Sequence, residues 1–181
     1  ELTFTSFDGT ALFYRAWIPA DKAAGAIVFC HRGHEHSGRL FEVVESLNLP
    51  EFAVFAWDAR GHGKSPGERG YARHFSDIAR DLDCFVQSIS KEYHIEIEDT
   101  VVVGHSVAGV ATAQWVHDYA PRIRAMVLAT PAFQVKLYVP GALPALRLQG
   151  FIGRLRKSPQ KYIKSYVSGK MLTHDPIEAR A

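Results

Sequence analysis

The stretch Val101–Gly109 reads VVVGHSVAG and carries a short apolar run into a turn of small residues with Ser106 at its apex. A helical pattern follows it. A serine on a sharp strand-to-helix turn exposes its hydroxyl, and the backbone N–H of Val107 would point to where an oxyanion forms. So tight a turn needs small neighbours, which Gly104 and Ala108 provide. The stretch predicts a nucleophilic serine, or alternatively a serine that only caps the following helix.

The surrounding sequence predicts an α/β fold. Two segments that alternate polar and apolar residues, 2–7 and 11–17, flank Asp8-Gly9 and predict an antiparallel hairpin. Near-continuous apolar runs predict parallel strands covered on both faces, at 26–30, 52–57, 100–103 and 125–129. Helical patterns lie between these runs. We therefore predict a doubly wound, mostly parallel sheet with an N-terminal hairpin.

The composition changes after Thr130-Pro131, where prolines interrupt short basic segments. We therefore divide the chain into an α/β core at 1–132 and a helical lid at 133–181. The lid carries eight basic residues between Pro131 and His174, a range without Asp or Glu: Lys136, Arg147, Arg154, Arg156, Lys157, Lys161, Lys164 and Lys170. Interleaved aromatic side chains suit a lipid with an anionic head or an anionic membrane surface. The alternative is a solvated face with acidic partners elsewhere. No recognised motif supports nucleic-acid binding.

Length and composition fit a compact globular protein. The chain has 181 residues, 47% hydrophobic content and a net charge of +2. Its apolar runs are far shorter than the roughly 20 residues of a membrane span. Cys30 and Cys84 fall in apolar patterns and are expected to be buried thiols rather than a disulfide framework. We therefore expect a soluble cytoplasmic protein, and, because the chain starts at Glu1, a piece of a longer polypeptide.

In an open α/β sheet, the loops at the carboxyl ends of the strands converge on the ligand site. The loop after Cys30 carries His31, Gly33 and His34, and the amide near Gly33 could supply a second oxyanion donor. Together with His36, these histidines could instead bind a metal. No cysteine or acidic pair completes such a ligand set, so we predict no metal site.

The loop at 58–70 is rich in glycine. Its spacing matches neither a dinucleotide-binding pattern nor a phosphate-binding P-loop. We therefore assign Asp58 and Arg60 a structural role, in which they hold a tight turn that shapes the pocket wall. His105 precedes Ser106 and is expected to lie in the same pocket.

These motifs resemble the monoacylglycerol lipase and lysophospholipase branch of the α/β-hydrolase superfamily, also called serine aminopeptidase-like. The resemblance extends from residue 2 to about residue 131. It is carried by Asp58-x-Arg60-Gly61-His62-Gly63-x-Ser65-x-Gly67-x-Arg69-Gly70, by His31-x-x-x-Glu35-His36-Ser37-Gly38-Arg39 and by Gly104-His105-Ser106. The branch usually has glycine where this chain has Arg32.

The resemblance implies a carboxylic ester hydrolase that forms an acyl-enzyme on Ser106 without a metal or organic cofactor. The amides of Gly33 and Val107 would form the oxyanion hole. The implied substrate is a small-molecule ester or lipid of the lysophospholipid or monoacylglycerol type. The alternative from another class is a non-catalytic, hydrolase-like module that binds lipid or a protein partner within a larger fused protein.

The proton acceptor that such a serine needs is not evident in the sequence. In this superfamily the acid and the histidine follow the serine, on loops after the last two strands. His117-Asp118 would lie roughly 15 Å along the helix from Ser106. His174-Asp175 are adjacent, which makes a relay difficult. We therefore expect the last strands, the acid and the base to lie beyond Ala181, and this fragment alone to be inactive.

Overall fold

The computed structural model describes residues 2–134, which form a six-stranded mixed sheet in the order β1-β2-β4-β3-β5-β6. The strands are β1 (Leu2–Thr5), β2 (Ala11–Trp17), β3 (Ala26–Cys30), β4 (Ala53–Trp57), β5 (Thr100–His105) and β6 (Ala125–Ala129). β1 and β2 pair antiparallel, as do β2 and β4, while β4, β3, β5 and β6 run parallel. The predicted sheet and its N-terminal hairpin are confirmed. The predicted lid, apart from its first two residues, lies outside the described range.

Helices cover both faces of this sheet. They are α1 (Phe41–Leu47), α2 (Phe75–Tyr93) and α3 (Val107–Tyr119). Because successive strand side chains point to opposite faces, Val28 and Cys30 of β3 pack in the core that includes α2 and α3. Ile27 and Phe29 point the other way, into a smaller cluster that includes Val44 of α1. The doubly wound arrangement follows from this alternation.

An aromatic cluster joins the hairpin to the parallel sheet. The rings of Trp57 and Phe85 stack with centroids 5.8 Å apart and planes 12° apart. Phe4 of β1 lies 4.7 Å from Phe85, and Tyr14 of β2 lies 5.3 Å from it. All four side chains are buried, so the cluster fixes β1 and β2 against β4 and α2.

The expectation that β6 is covered on both faces was wrong. Met126 is 37% exposed and Val127 is 47% exposed, although the segment forms the expected parallel strand. The apolar run predicts a strand, but what covers a strand depends on neighbours that its own sequence does not encode. In the described part of the chain, β6 stands at the end of the six-stranded order, and its side chains are more exposed than those of β3 and β4.

Exposed apolar surface also flanks α1, which has no fully buried residue. An open groove of about 280 Å³ lies there, between the end of β2 and the carboxyl end of the helix. Its walls include Trp17, Val44, Leu47 and Phe52. None of the residues predicted to act in a functional site lines this groove.

Both cysteines are free thiols. Cys30 is fully buried and Cys84 is half-buried. Burial raises the pKa of the Cys30 thiol to about 12, which leaves it protonated and unreactive at neutral pH. Across residues 2–134, the helices are too short or too polar to span a membrane.

Candidate active site

Ser106 occupies a strained turn between β5 and α3. Its backbone angles are φ 57° and ψ −118°, a region that residues other than glycine rarely adopt. The Ser106 N–H donates to the carbonyl of Ala129 at 2.9 Å, and its own carbonyl accepts from Ala132 N–H at 3.1 Å. The end of β6 and the segment after it therefore hold the turn. The Ser106 side chain remains partly exposed.

Two glycines, Gly104 of β5 and Gly109 of α3, allow this strand and this helix to pack closely. A Cβ placed on Gly104 would lie 2.8 Å from the Cα of Gly109 and 2.5 Å from the hydroxyl of Thr112. A Cβ on Gly109 would lie 3.0 Å from the carbonyl of Gly104 and 3.2 Å from Pro131. The structure thus places Gly109 opposite Gly104, and a Cβ on Gly104 would also lie 2.9 Å from the carbonyl of Ala108. Ala108 is partly buried beside the main core.

Val107 is the first residue of α3, and its side chain is 41% exposed. The N–H groups of the first helical turn have no acceptor within the helix, and the N-terminal end of the helix dipole favours negative charge. The helix therefore begins directly after Ser106 with donors that suit a developing oxyanion. The role of the Val107 N–H as an oxyanion donor stays a prediction.

The buried His31 links the loop after β3 to the loop after β4. Its Nδ1 lies 2.7 Å from the carbonyl of Arg32, and its Nε2 accepts from the N–H of Ala59 at 3.0 Å. These partners assign the neutral tautomer with the proton on Nδ1. Burial lowers the pKa of His31 below its usual value and favours the same uncharged form. Both ring nitrogens are therefore engaged by the backbone.

The rest of that loop is more open. Gly33 is half-buried, and a Cβ there would meet nothing within 4 Å. His34 is exposed and has a φ of 61°. Arg32 forms an ion pair with Glu35 at 2.8 Å. Within residues 2–134, no three His, Cys, Asp or Glu side chains converge in a way that could hold a metal ion.

The carboxylate of Asp58 connects the same two loops from the other side. Asp58 is buried, and its Oδ1 accepts from the N–H of Ser37 at 2.6 Å. Its Oδ2 accepts from the N–H of Lys64 at 2.8 Å. The backbone of Asp58 is also held, because its N–H donates to the carbonyl of Phe13 at 2.8 Å and its carbonyl accepts from the hydroxyl of Ser65.

Arg60 ties the loop after β4 to the N-terminal hairpin and to α2. Its guanidinium makes two hydrogen bonds to the carboxylate of Asp81, both 2.6 Å long, and one to Asp8 at 3.0 Å. The hydroxyl of Ser6 also donates to Asp81. Hydrogen bonding from Arg60 contributes most to lowering the pKa of Asp8 to about 2. Asp81 was missed in the sequence, although a carboxylate on the apolar face of α2 was a signal.

Other histidines lie next to the candidate site or on the surface. His105 is the half-buried last residue of β5 and pairs in register with Ala129. His62, which was not among the predicted site residues, has its ring centroid 5.2 Å from that of His31 and its Nδ1 3.0 Å from the carbonyl of Arg60. His117 is exposed near the end of α3 and contacts Asp118 at 2.9 Å. His174-Asp175 lie outside the described residues.

Comparison with known proteins identifies the family of this chain. The family model described as "Serine aminopeptidase, S33" matches residues 21–181. An uncharacterized protein of Escherichia coli, YnbC, is 50% identical over 97% of this chain, which spans 29% of that protein. The monoglyceride lipase of Mus musculus is 31% identical over 96% of this chain, which spans 59% of the enzyme.

The fold has a counterpart among solved structures. The crystal structure of the Paleococcus ferrophilus monoacylglycerol lipase matches with a TM-score of 0.70 and 26% identity, over 93% of this chain and 60% of that one. The chain thus spans less than two-thirds of each of these relatives. It belongs to the serine aminopeptidase S33 family, in the monoacylglycerol-lipase-like branch of the α/β hydrolases.

Proposed function

We propose that Ser106 is the nucleophile of a hydrolase that cleaves carboxylic esters. The observation that carries the proposal is the backbone of Ser106, held at φ 57° on the turn between β5 and α3. Strain of this kind persists where the surrounding structure enforces it, and it is concentrated at functional sites. A serine that only capped α3 would have an extended backbone and a side-chain hydrogen bond to the first turn, and Ser106 has neither.

In the proposed reaction, the hydroxyl oxygen of Ser106 attacks the carbonyl carbon of the ester. The carbonyl oxygen takes up the negative charge between the N–H groups of Gly33 and Val107, the alcohol departs with a proton, and an acyl-enzyme remains. Water then hydrolyses it and restores the hydroxyl. The open space around Gly33 and the position of Val107 at the start of α3 support these roles.

We propose that the base and its orienting acid lie beyond Ala181. His31 cannot accept a proton from Ser106 without giving up its backbone contacts, because Nε2 accepts from Ala59 and Nδ1 faces the carbonyl of Arg32. The pair His117–Asp118 is on the surface near the far end of α3. The relatives are longer than this chain, which leaves room for both groups outside it.

For the substrate, we propose a monoacylglycerol or a lysophospholipid. The names of the mouse and Paleococcus relatives support the glycerolipid class. The eight basic residues at 136–170 favour the anionic lysophospholipid and an anionic membrane surface. Neutralising Arg154, Arg156 and Lys157 should then lower the activity ratio of lysophospholipid to monoacylglycerol. An unchanged ratio would count against the charged substrate.

The nucleophile can be tested by fluorophosphonate labelling of the full-length protein in which this sequence occurs. We expect one labelled site, lost in Ser106→Ala and kept in Ser46→Ala, which changes an exposed serine of α1. Absence of label in a folded protein would favour the non-catalytic binding module. Full esterase activity in purified residues 1–181 would contradict the placement of base and acid beyond Ala181.

A further inference from the structure

The segment that contains Gly33 is attached to the rest of the molecule on both sides. At one end, Nε2 of His31 accepts from the N–H of Ala59 at 3.0 Å. At the other end, the N–H of Ser37 donates to Oδ1 of Asp58 at 2.6 Å. Each loop thus contributes one buried side chain that accepts an N–H from the other loop, and the two contacts bracket Gly33.

Packing does not fix the segment at its centre. A Cβ on Gly33 would find no atom within 4 Å, and the side chain of His34 is exposed. The position of the Gly33 amide therefore depends on the two bracketing hydrogen bonds and on the partly exposed ion pair between Arg32 and Glu35. An oxyanion donor is effective only when its N–H lies about 2.7–3.1 Å from the oxyanion, so small displacements matter.

Asp58 is itself held firmly enough to act as an anchor. It is 1% exposed, and its backbone pairs with Phe13 and Ser65. Its second carboxylate oxygen accepts from the N–H of Lys64, next to Gly63. A Cβ on Gly63 would come within 2.0 Å of Oδ2 of Asp58 and within 2.8 Å of the Cβ of His36, so a side chain there would displace the carboxylate and also press on the loop after β3.

We propose that Asp58 is a positioning residue, which holds the Gly33 amide in place for oxyanion stabilisation through its hydrogen bond to Ser37. This inference rests on the proposed function of Ser106 and Gly33. Asp58 does not touch the substrate. It acts through the backbone of the loop after β3, so its loss should slow the chemical step more than it weakens substrate binding.

The test compares variants of the full-length protein on a soluble short-chain ester. Asp58→Asn keeps the shape of the side chain, but its single carbonyl oxygen replaces two acceptors, and one of the two N–H donors loses its partner. Gly63→Ala displaces the intact carboxylate and also meets the Cβ of His36, so its effect is assigned to Asp58 only where Asp58→Asn has the same effect. Gly70→Ala is the matched control, because Gly70 also has a positive φ, +69°, but a Cβ there meets nothing within 4 Å. Ser106→Ala reports on the nucleophile itself.

We expect Asp58→Asn and Gly63→Ala to lower kcat by about 10-fold or more while KM changes by less than about twofold. Hydrogen exchange of peptides covering 31–38 should accelerate in both variants and not in Gly70→Ala. A merely structural role would instead lower stability and leave the kcat of the folded fraction unchanged.

Two results would overturn the inference in distinguishable ways. If Ser106→Ala abolishes turnover while Asp58→Asn and Gly63→Ala retain a normal kcat, the positioning role is wrong and the proposed function stands. If Ser106→Ala retains turnover, the nucleophile assignment fails, and the positioning role fails with it.

Discussion

The guanidinium of Arg60 and the carboxylate of Asp81 form a two-hydrogen-bond ion pair, with both N–O distances at 2.6 Å. The Asp81 side chain is 0% exposed, whereas that of Arg60 is 17% exposed. Hydrogen bonding to Asp81 contributes most to raising the pKa of Arg60 above its usual range. The pair joins α2 to the loop after β4, and through Asp8 it reaches the hairpin.

Removing one partner of this buried pair should destabilise the protein strongly. Arg60→Ala leaves the Asp81 carboxylate buried without its cation, and we expect a loss of about 3–5 kcal/mol in the free energy of unfolding. The matched control is Arg124→Ala, which breaks the exposed pair with Asp99 and should cost at most about 1 kcal/mol. Urea denaturation measures both. Equally small losses in the free energy of unfolding of the two variants would show that burial does not determine how much an ion pair stabilises this protein.

The contact between Gly104 and Gly109 predicts intolerance to a methyl group. Gly104→Ala should lower the free energy of unfolding by about 2 kcal/mol or more, because the added Cβ overlaps backbone atoms of α3. Gly33→Ala adds the same methyl group where no atom lies within 4 Å, so it should leave the melting temperature nearly unchanged. Thermal denaturation compares the two. A stable Gly104→Ala protein would mean that α3 can shift away from β5.

The lowered pKa of His31 predicts a pH dependence of stability. Between the usual histidine pKa of 6.5 and the lower folded value, the unfolded chain binds a proton that the folded chain does not. The contribution of His31 to the free energy of unfolding is therefore fully present above about pH 7. It falls as the pH drops below about 6.5, by at most about 1.4 kcal/mol per pH unit.

Urea denaturation between about pH 7.5 and about pH 5 tests this slope. His31→Asn removes the titrating ring, so its stability should decline less steeply with falling pH than that of the natural chain, whatever its absolute stability. Equal slopes would show that the folded protein protonates His31 as readily as the unfolded chain does.

The positive φ of Ser106 predicts that glycine is better tolerated at this position than serine. Ser106→Gly removes the Cβ that makes φ 57° unfavourable, and we expect it to raise the free energy of unfolding by about 1 kcal/mol. Ser106→Ala keeps the Cβ and should not. Denaturation of the natural chain, Ser106→Gly and Ser106→Ala tests this prediction. A destabilised Ser106→Gly variant would argue that the turn is not strained.

The sheet could be predicted well because its strands carry local signals. The segments 26–30 and 53–57 are uniformly apolar and are uniformly buried in β3 and β4. The turn at Ser106 could be predicted because glycine and small residues frame it. The strands and the turn depend on residues that are close in sequence, so a local sequence pattern can predict them.

The remaining features depend on partners distant in sequence. Asp81 lies on the apolar face of α2, which indicates that it is buried, but nothing near it in sequence indicates that Arg60 will bind it. The exposure of Val127 likewise depends on what packs on β6, and the space requirement at Gly109 depends on how α3 crosses β5. The loop contacts of His31 and Asp58 join residues that only the sheet brings together.

The position of β3 in the sheet has a consequence for biosynthesis. Ala26 pairs with Ala53 on one side and with Thr100 on the other, so one edge of this apolar strand stays open until β5 has left the ribosome. Parallel pairings between such distant segments form slowly, and an unpaired apolar edge attracts other chains in the meantime. The nascent chain should therefore be most dependent on chaperones while α2 emerges from the ribosome, after β4 and before β5.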